Sequence, residues 1–134
     1  MNTSTQSSYG ILVGRLAFGF AMIKVHGWGK LMRLFSGEEI QFMDFMGLGP
    51  TISLGLATFA EVICALLIMV GYYTRWAAMP LIFTMGVVVL VVDFGEPFRE
   101  FEKAFLFLAY FISVLLTGPG KFSIDHQIRK TTSF

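Results

Sequence analysis

Long apolar runs recur along the chain at even spacing, separated by short polar or glycine-rich stretches. The first is Tyr9–Val25, interrupted only by Arg15 and Lys24. The second, Ile52–Val70, holds one charge, Glu61, and the third, Trp76–Val92, holds none. The fourth has an uncharged stretch, Ala104–Thr117, and Pro97 suits a helix start just before Phe98. None of the runs alternates with period two, so the pattern predicts helices. At about 1.5 Å per residue, 17–20 residues match a hydrocarbon core of roughly 30 Å. Only helices or closed barrels satisfy their backbone groups in lipid.

The predicted spans are residues 9–26, 52–70, 76–92 and 98–117, followed by a polar tail over 118–134. Residues 26–51 are too long for a simple hairpin. Within them Ser36-Gly-Glu-Glu39 fits a capping box, followed by Ile40, Phe42, Met43, Phe45 and Met46. The expected architecture is therefore an all-α integral membrane four-helix bundle forming a single domain over residues 1–134. A short interfacial or re-entrant helix is expected between spans one and two.

Composition narrows the function classes. Of 134 residues, 55% are hydrophobic and only 14% charged. A soluble domain of this size has too little interior for that much apolar surface. The net charge of +1 gives no basic excess for nucleic acid. A single cysteine, Cys64, excludes an intramolecular disulfide or a CxxC pair. The two histidines, His26 and His126, do not make a haem, zinc or iron–sulfur ligand set. No phosphate-binding loop appears, and no cleavable signal is recognised, so the first span is read as retained. Lys and Arg divide evenly between the two sides, leaving the positive-inside count tied. Glu38, Glu39, Asp44, Asp93, Glu96, Glu100 and Glu102 all fall opposite the termini, which favours cytoplasmic termini.

Charges within the spans carry the candidate chemistry. A lone carboxylate at the position of Glu61, mid-span, costs about 2.5–3.5 kcal/mol on insertion scales. It must be paired, protonated or turned to a wet cavity. Arg15 is the expected partner on depth; its alternative is to snorkel to nearby headgroups. Helical spacing places Arg15, Met22, His26 and Lys30 on one stripe. His26 and Lys30 then approach Glu102 at the far mouth, where His26 suits proton exchange. The alternatives are interfacial anchoring of His26 and Lys30 beside Trp28 and a solvated first-turn role for Glu102. Arg75, after Tyr72 and Tyr73, also reads as an interfacial anchor.

Arg15, His26-Gly27, Lys30, Leu48-Gly49-Pro50, Glu61, Gly71, Thr74-Arg75, Glu102 and Gly118-Pro-Gly-Lys-Phe-Ser-Ile-Asp125 together resemble the DoxX family. The closing Gly-Pro-Gly-x-x-Ser-x-Asp is the most specific piece. The resemblance implies a bacterial inner-membrane protein linked to quinone-dependent oxidation, to quinone or thiol stress, or to membrane oxidoreductase complexes. It points to Arg15, His26, Lys30, Glu61, Arg75, Glu102, Ser123 and Asp125. On this reading Glu61, His26 and Glu102 exchange protons, and Arg15, Lys30 and Arg75 contact substrate. Ser123 and Asp125 belong to a structural motif. The implied cofactor is a quinone, with no metal, haem or nucleotide. The implied partners are the lipid bilayer, a membrane or peripheral oxidoreductase, and a second copy in a homodimer. Export of a toxic organic compound and non-catalytic scaffolding are the competing functions.

Overall fold

The computed structural model describes residues 2–133; Met1 and Phe134, the ends of the expected domain and tail, lie outside the described residues. Among the described residues the fold is all helical, with no strand. Helix α1 runs Thr3–Leu34, α2 Pro50–Val70, α3 Thr74–Val92, α4 Phe98–Thr117 and α5 Ile124–Thr132. The first three are long and apolar enough to cross a membrane. Helix α4 is of similar length, but Arg99, Glu100, Glu102 and Lys103 crowd its start.

The ends of the helices follow from local chemistry. Asn2 caps α1 by accepting a hydrogen bond from Ser4 N at 3.2 Å. Pro50 opens α2, where its missing N–H has no intrahelical partner to lose. Gly71, at φ +75°, closes α2 in a Schellman turn. Its N–H donates to Ile68 O at 3.1 Å, and Tyr72 N–H donates to Leu67 O at 2.9 Å. Ser123 caps α5 by accepting from His126 N at 3.2 Å.

Helix α1 outruns its predicted span in both directions. The Asn2 cap extends it at the start, and a π-helical turn over Met22–Gly27 carries it past Gly27 and Gly29. A second π turn, Phe59–Cys64, interrupts α2 opposite the first. The two helices approach closely there: a Cβ on Gly27 would lie 3.0 Å from Glu61 O, and one on Gly19 3.2 Å from Ala65 O. Small residues at such positions let membrane helices touch backbone to backbone. Helix α2 also packs on α3, and α3 lies along α4. Their shared core is Ala60, Ala65, Ile68, Ala78, Leu81, Met85 and Phe111.

The short helix expected after Ser36 does not form. The Ser36 hydroxyl instead donates back to Arg33 O at 2.8 Å, finishing α1 rather than starting a new helix. Residues 36–49 form an irregular strap. Asp44 accepts from Gly49 N at 2.8 Å, and Ser53 Oγ accepts from Phe45 N at 2.9 Å. These two bonds tie the strap to the start of α2.

Candidate functional site

Glu61 sits inside the π turn of α2 and is 1% exposed. Its partner is Lys30, whose Nζ lies 2.6 Å and 2.8 Å from the two carboxylate oxygens. The expected pairing with Arg15 is therefore wrong. Arg15 lies level with the last turn of α2, seven to eight residues beyond Glu61, or about 11 Å along the axis. Lys30 reaches Glu61 because the π turn in α1 resets the helix phase and the Gly27 contact brings the helices together. The Lys30 side chain remains 23% exposed, so the pair has one buried member and one member in touch with the outside.

A cavity of about 650 Å³ opens beside this pair. Leu56, Ala57, Phe59 and Ala60 of α2 form one wall, and Pro80, Phe83, Val87, Val88 and Val92 of α3 the other. Phe42, Met43 and Phe45 of the strap cover it, with Phe45 edge-on to Phe83 at 5.6 Å between ring centroids. The hydroxyls in the lining are already engaged: Thr84 donates to Pro80 O and Ser53 donates to Gly49 O. Among the described residues, Lys30 and Glu61 are its only charged lining residues. An apolar cavity with one convergent polar pair is the usual form of a site for a hydrophobic small molecule.

Arg15 performs a different task. Buried at 1% exposure, it donates to Ile68 O at 3.0 Å and Met69 O at 3.1 Å, two carbonyls at the end of α2. It also donates to Pro119 O and to Phe122 O. A cation is favoured at a helix C-terminus, and in lipid orphan carbonyls have no water to turn to. Asp125 closes the neighbouring helix start: its carboxylate accepts from Tyr73 N, Thr74 N and Thr74 Oγ1 at 2.8–2.9 Å. Thr74 begins α3 with no side-chain cap of its own. Gly71 lies where these elements meet, and a Cβ there would fall 2.4 Å from Ser123 Cβ.

The DoxX family model matches residues 10–93, more than half the chain. The chain belongs to the DoxX family. Inner membrane protein YqjF of Escherichia coli K12 is 32% identical over 128 residues, covering 90% of this chain and 93% of that protein. Inner membrane protein YphA of the same organism is 29% identical over 143 residues, covering 95% and 100%. No solved structure matches the chain.

In this DoxX protein the residues singled out from sequence divide between two ends. Lys30 and Glu61 meet at the cavity. Arg15, Ser123 and Asp125 bind backbone groups at the end nearer the termini, and Arg75 lies beside them, with its Nη2 3.5 Å from Leu116 O at the end of α4. The expected His26–Lys30–Glu102 cluster does not assemble. His26 packs edge-on against Phe107 of α4 at 5.3 Å, its buried Nε2 without a hydrogen-bond partner. Glu102 is exposed, and among the described residues it forms no ion pair with either residue. Phe42, Met43 and Phe45, whose apolar character fits the expected interfacial helix, line the cavity from the irregular strap instead.

Proposed function

We propose that this DoxX protein is a four-span inner-membrane protein whose Lys30–Glu61 cavity binds a quinone or quinol, as a subunit or accessory of a membrane oxidoreductase system. The observation that carries the proposal is the apolar cavity with a single charged pair in its wall. The residues fit such a ligand. The Lys30 ammonium is a donor suited to a ring carbonyl, the Glu61 carboxylate accepts from a ring hydroxyl, and the Phe and Val walls suit an isoprenoid tail. A bound quinone supplies two-electron, two-proton redox capacity. The chain's own part is to hold the ring, exclude water and keep a proton-bearing pair beside it. An electron partner belongs to this reading, because no redox group is built from these side chains.

Two inner-membrane relatives and three apolar spans support the location. The fourth span follows if the charged first turn of α4 lies in the headgroups and Ala104–Thr117 enters the core. Four spans put both termini on one face; basic residues divide evenly between the two faces, and the acidic residues gathered on the opposite face favour cytoplasmic termini.

The test is titration of purified protein with a short-chain quinone, followed by quenching of the intrinsic fluorescence and by thermal shift. Saturable binding is expected, weakened at least tenfold in both Lys30→Met and Glu61→Gln. Binding unaffected by either change removes the site. Uptake of the compound into proteoliposomes without a redox partner assigns the cavity to transport instead.

A further inference from the structure

The short helix α5 is amphipathic, and its apolar side faces away from the protein. Asp125 is held against Tyr73 and Thr74 by three hydrogen bonds, and Asp125 N–H donates to Gly71 O at 2.9 Å. These contacts fix one side of α5 to the ends of α2 and α3. Ile124 and Ile128, four residues apart on one stripe of α5, are 40% and 48% exposed. Arg129 and Lys130, on the polar part of the same helix, are both exposed.

Charge at this end is one-sided. Arg75, Lys121, Arg129 and Lys130 lie here, and among the described residues the one acidic side chain with them, Asp125, is occupied as a cap. The other acidic residues, apart from Glu61 within α2, lie toward the opposite end. An exposed apolar stripe on a helix whose polar part carries exposed cations matches the boundary between acyl chains and anionic headgroups.

We propose that α5 is an interfacial anchor that binds the anionic phospholipid headgroups of the leaflet at the terminus end of the bundle. The anchor rests on the membrane location and not on the quinone reading. It holds the Arg15–Gly71–Asp125 junction at the membrane surface. Each Lys or Arg near an anionic leaflet contributes about fivefold to partitioning. Removing both Arg129 and Lys130 therefore weakens docking by about 25-fold.

The full chain, with buried Cys64 replaced by Ala and an environment-sensitive fluorophore on Ile128→Cys, is placed in two kinds of nanodisc. One is pure phosphatidylcholine, and the other is an equal mixture with phosphatidylglycerol. The probe is expected to be blue-shifted and shielded from iodide in the mixed lipid. Arg129→Gln/Lys130→Gln, or high salt, is expected to return it toward water. The same probe on Leu90→Cys, an exposed residue of α3, reports whether the bundle itself is inserted and should sit in the bilayer in both lipids. A probe at 128 that stays in water in both lipids, with Leu90→Cys inserted, overturns the anchor and leaves the basic face for an acidic protein partner. Shielding that is equal in both lipids and survives the double substitution overturns the anionic preference.

Discussion

Breaking the Lys30–Glu61 pair from either side should not cost the same. Lys30→Met leaves a carboxylate that is 1% exposed with its ionic partner gone. Stranding a buried charge in this way costs about 3–5 kcal/mol. Glu61→Gln leaves a lysine that is already 23% exposed and whose long stem lets the ammonium turn outward. Its cost is the lost pair and an imperfectly bonded amide, about 1–2 kcal/mol. The double variant strands neither charge, so it should be about 2–3 kcal/mol more stable than the sum of the single effects predicts. Reversible unfolding in mixed detergent micelles, followed by helical circular dichroism, measures all three. Equal losses for the two single variants would refute the asymmetry. A Lys30→Met loss below about 1 kcal/mol would mean that Glu61 is not held as a buried carboxylate.

The remaining predictions concern the junction and the strap. Arg15→Gln removes a cation donating to four carbonyls and should cost about 5 kcal/mol, with loss of folded protein after detergent extraction as the readout. Gly71→Ala places a methyl group against Ser123 at a left-handed φ and should cost about 3 kcal/mol in the same unfolding assay. Asp125→Asn keeps the shape but loses the charge at the start of α3, for about 1–2 kcal/mol, and should quicken amide exchange at Thr74. Phe45→Ala removes the edge contact to Phe83, worth about 1 kcal/mol. It should raise the dissociation rate of a cavity ligand several-fold with little change in global stability.

Much of the fold was legible because hydrocarbon imposes a simple rule: apolar runs long enough to cross must be helical. The boundaries were less legible, and the reasons are specific. Helix α1 passes Gly27 because that glycine serves the contact with α2, a tertiary demand that outweighs its local helix-breaking tendency. Ser36 has the residue type and spacing of a helix start, yet its hydroxyl bonds backward to Arg33 O. A capping signal marks a helix end without saying which helix. That Glu61 needs a partner is legible from its cost in lipid, but which partner is not, because a π turn and a longer α1 displace the depths that the predicted span ends imply.

The partners of Arg15 reflect a general feature of membrane proteins. A buried guanidinium can be satisfied without a carboxylate, by the partly negative unpaired carbonyls at helix ends. The last carbonyls of α2, with those of Pro119 and Phe122, satisfy Arg15. Its charge is therefore engaged by four backbone carbonyls. The same holds for Asp125, whose oxygens are filled by the start of α3. Lys30 and Glu61 differ because each is the other's charged partner, one of them reaches the outside, and a cavity lies against both. A ligand group that donates to Glu61 or accepts from Lys30 substitutes for one half of the pair without unmaking a helix end. On the proposed reading ligand chemistry belongs to the Lys30 end and mechanical closure to the other, which predicts that substitutions at the closed end act on stability before they act on binding.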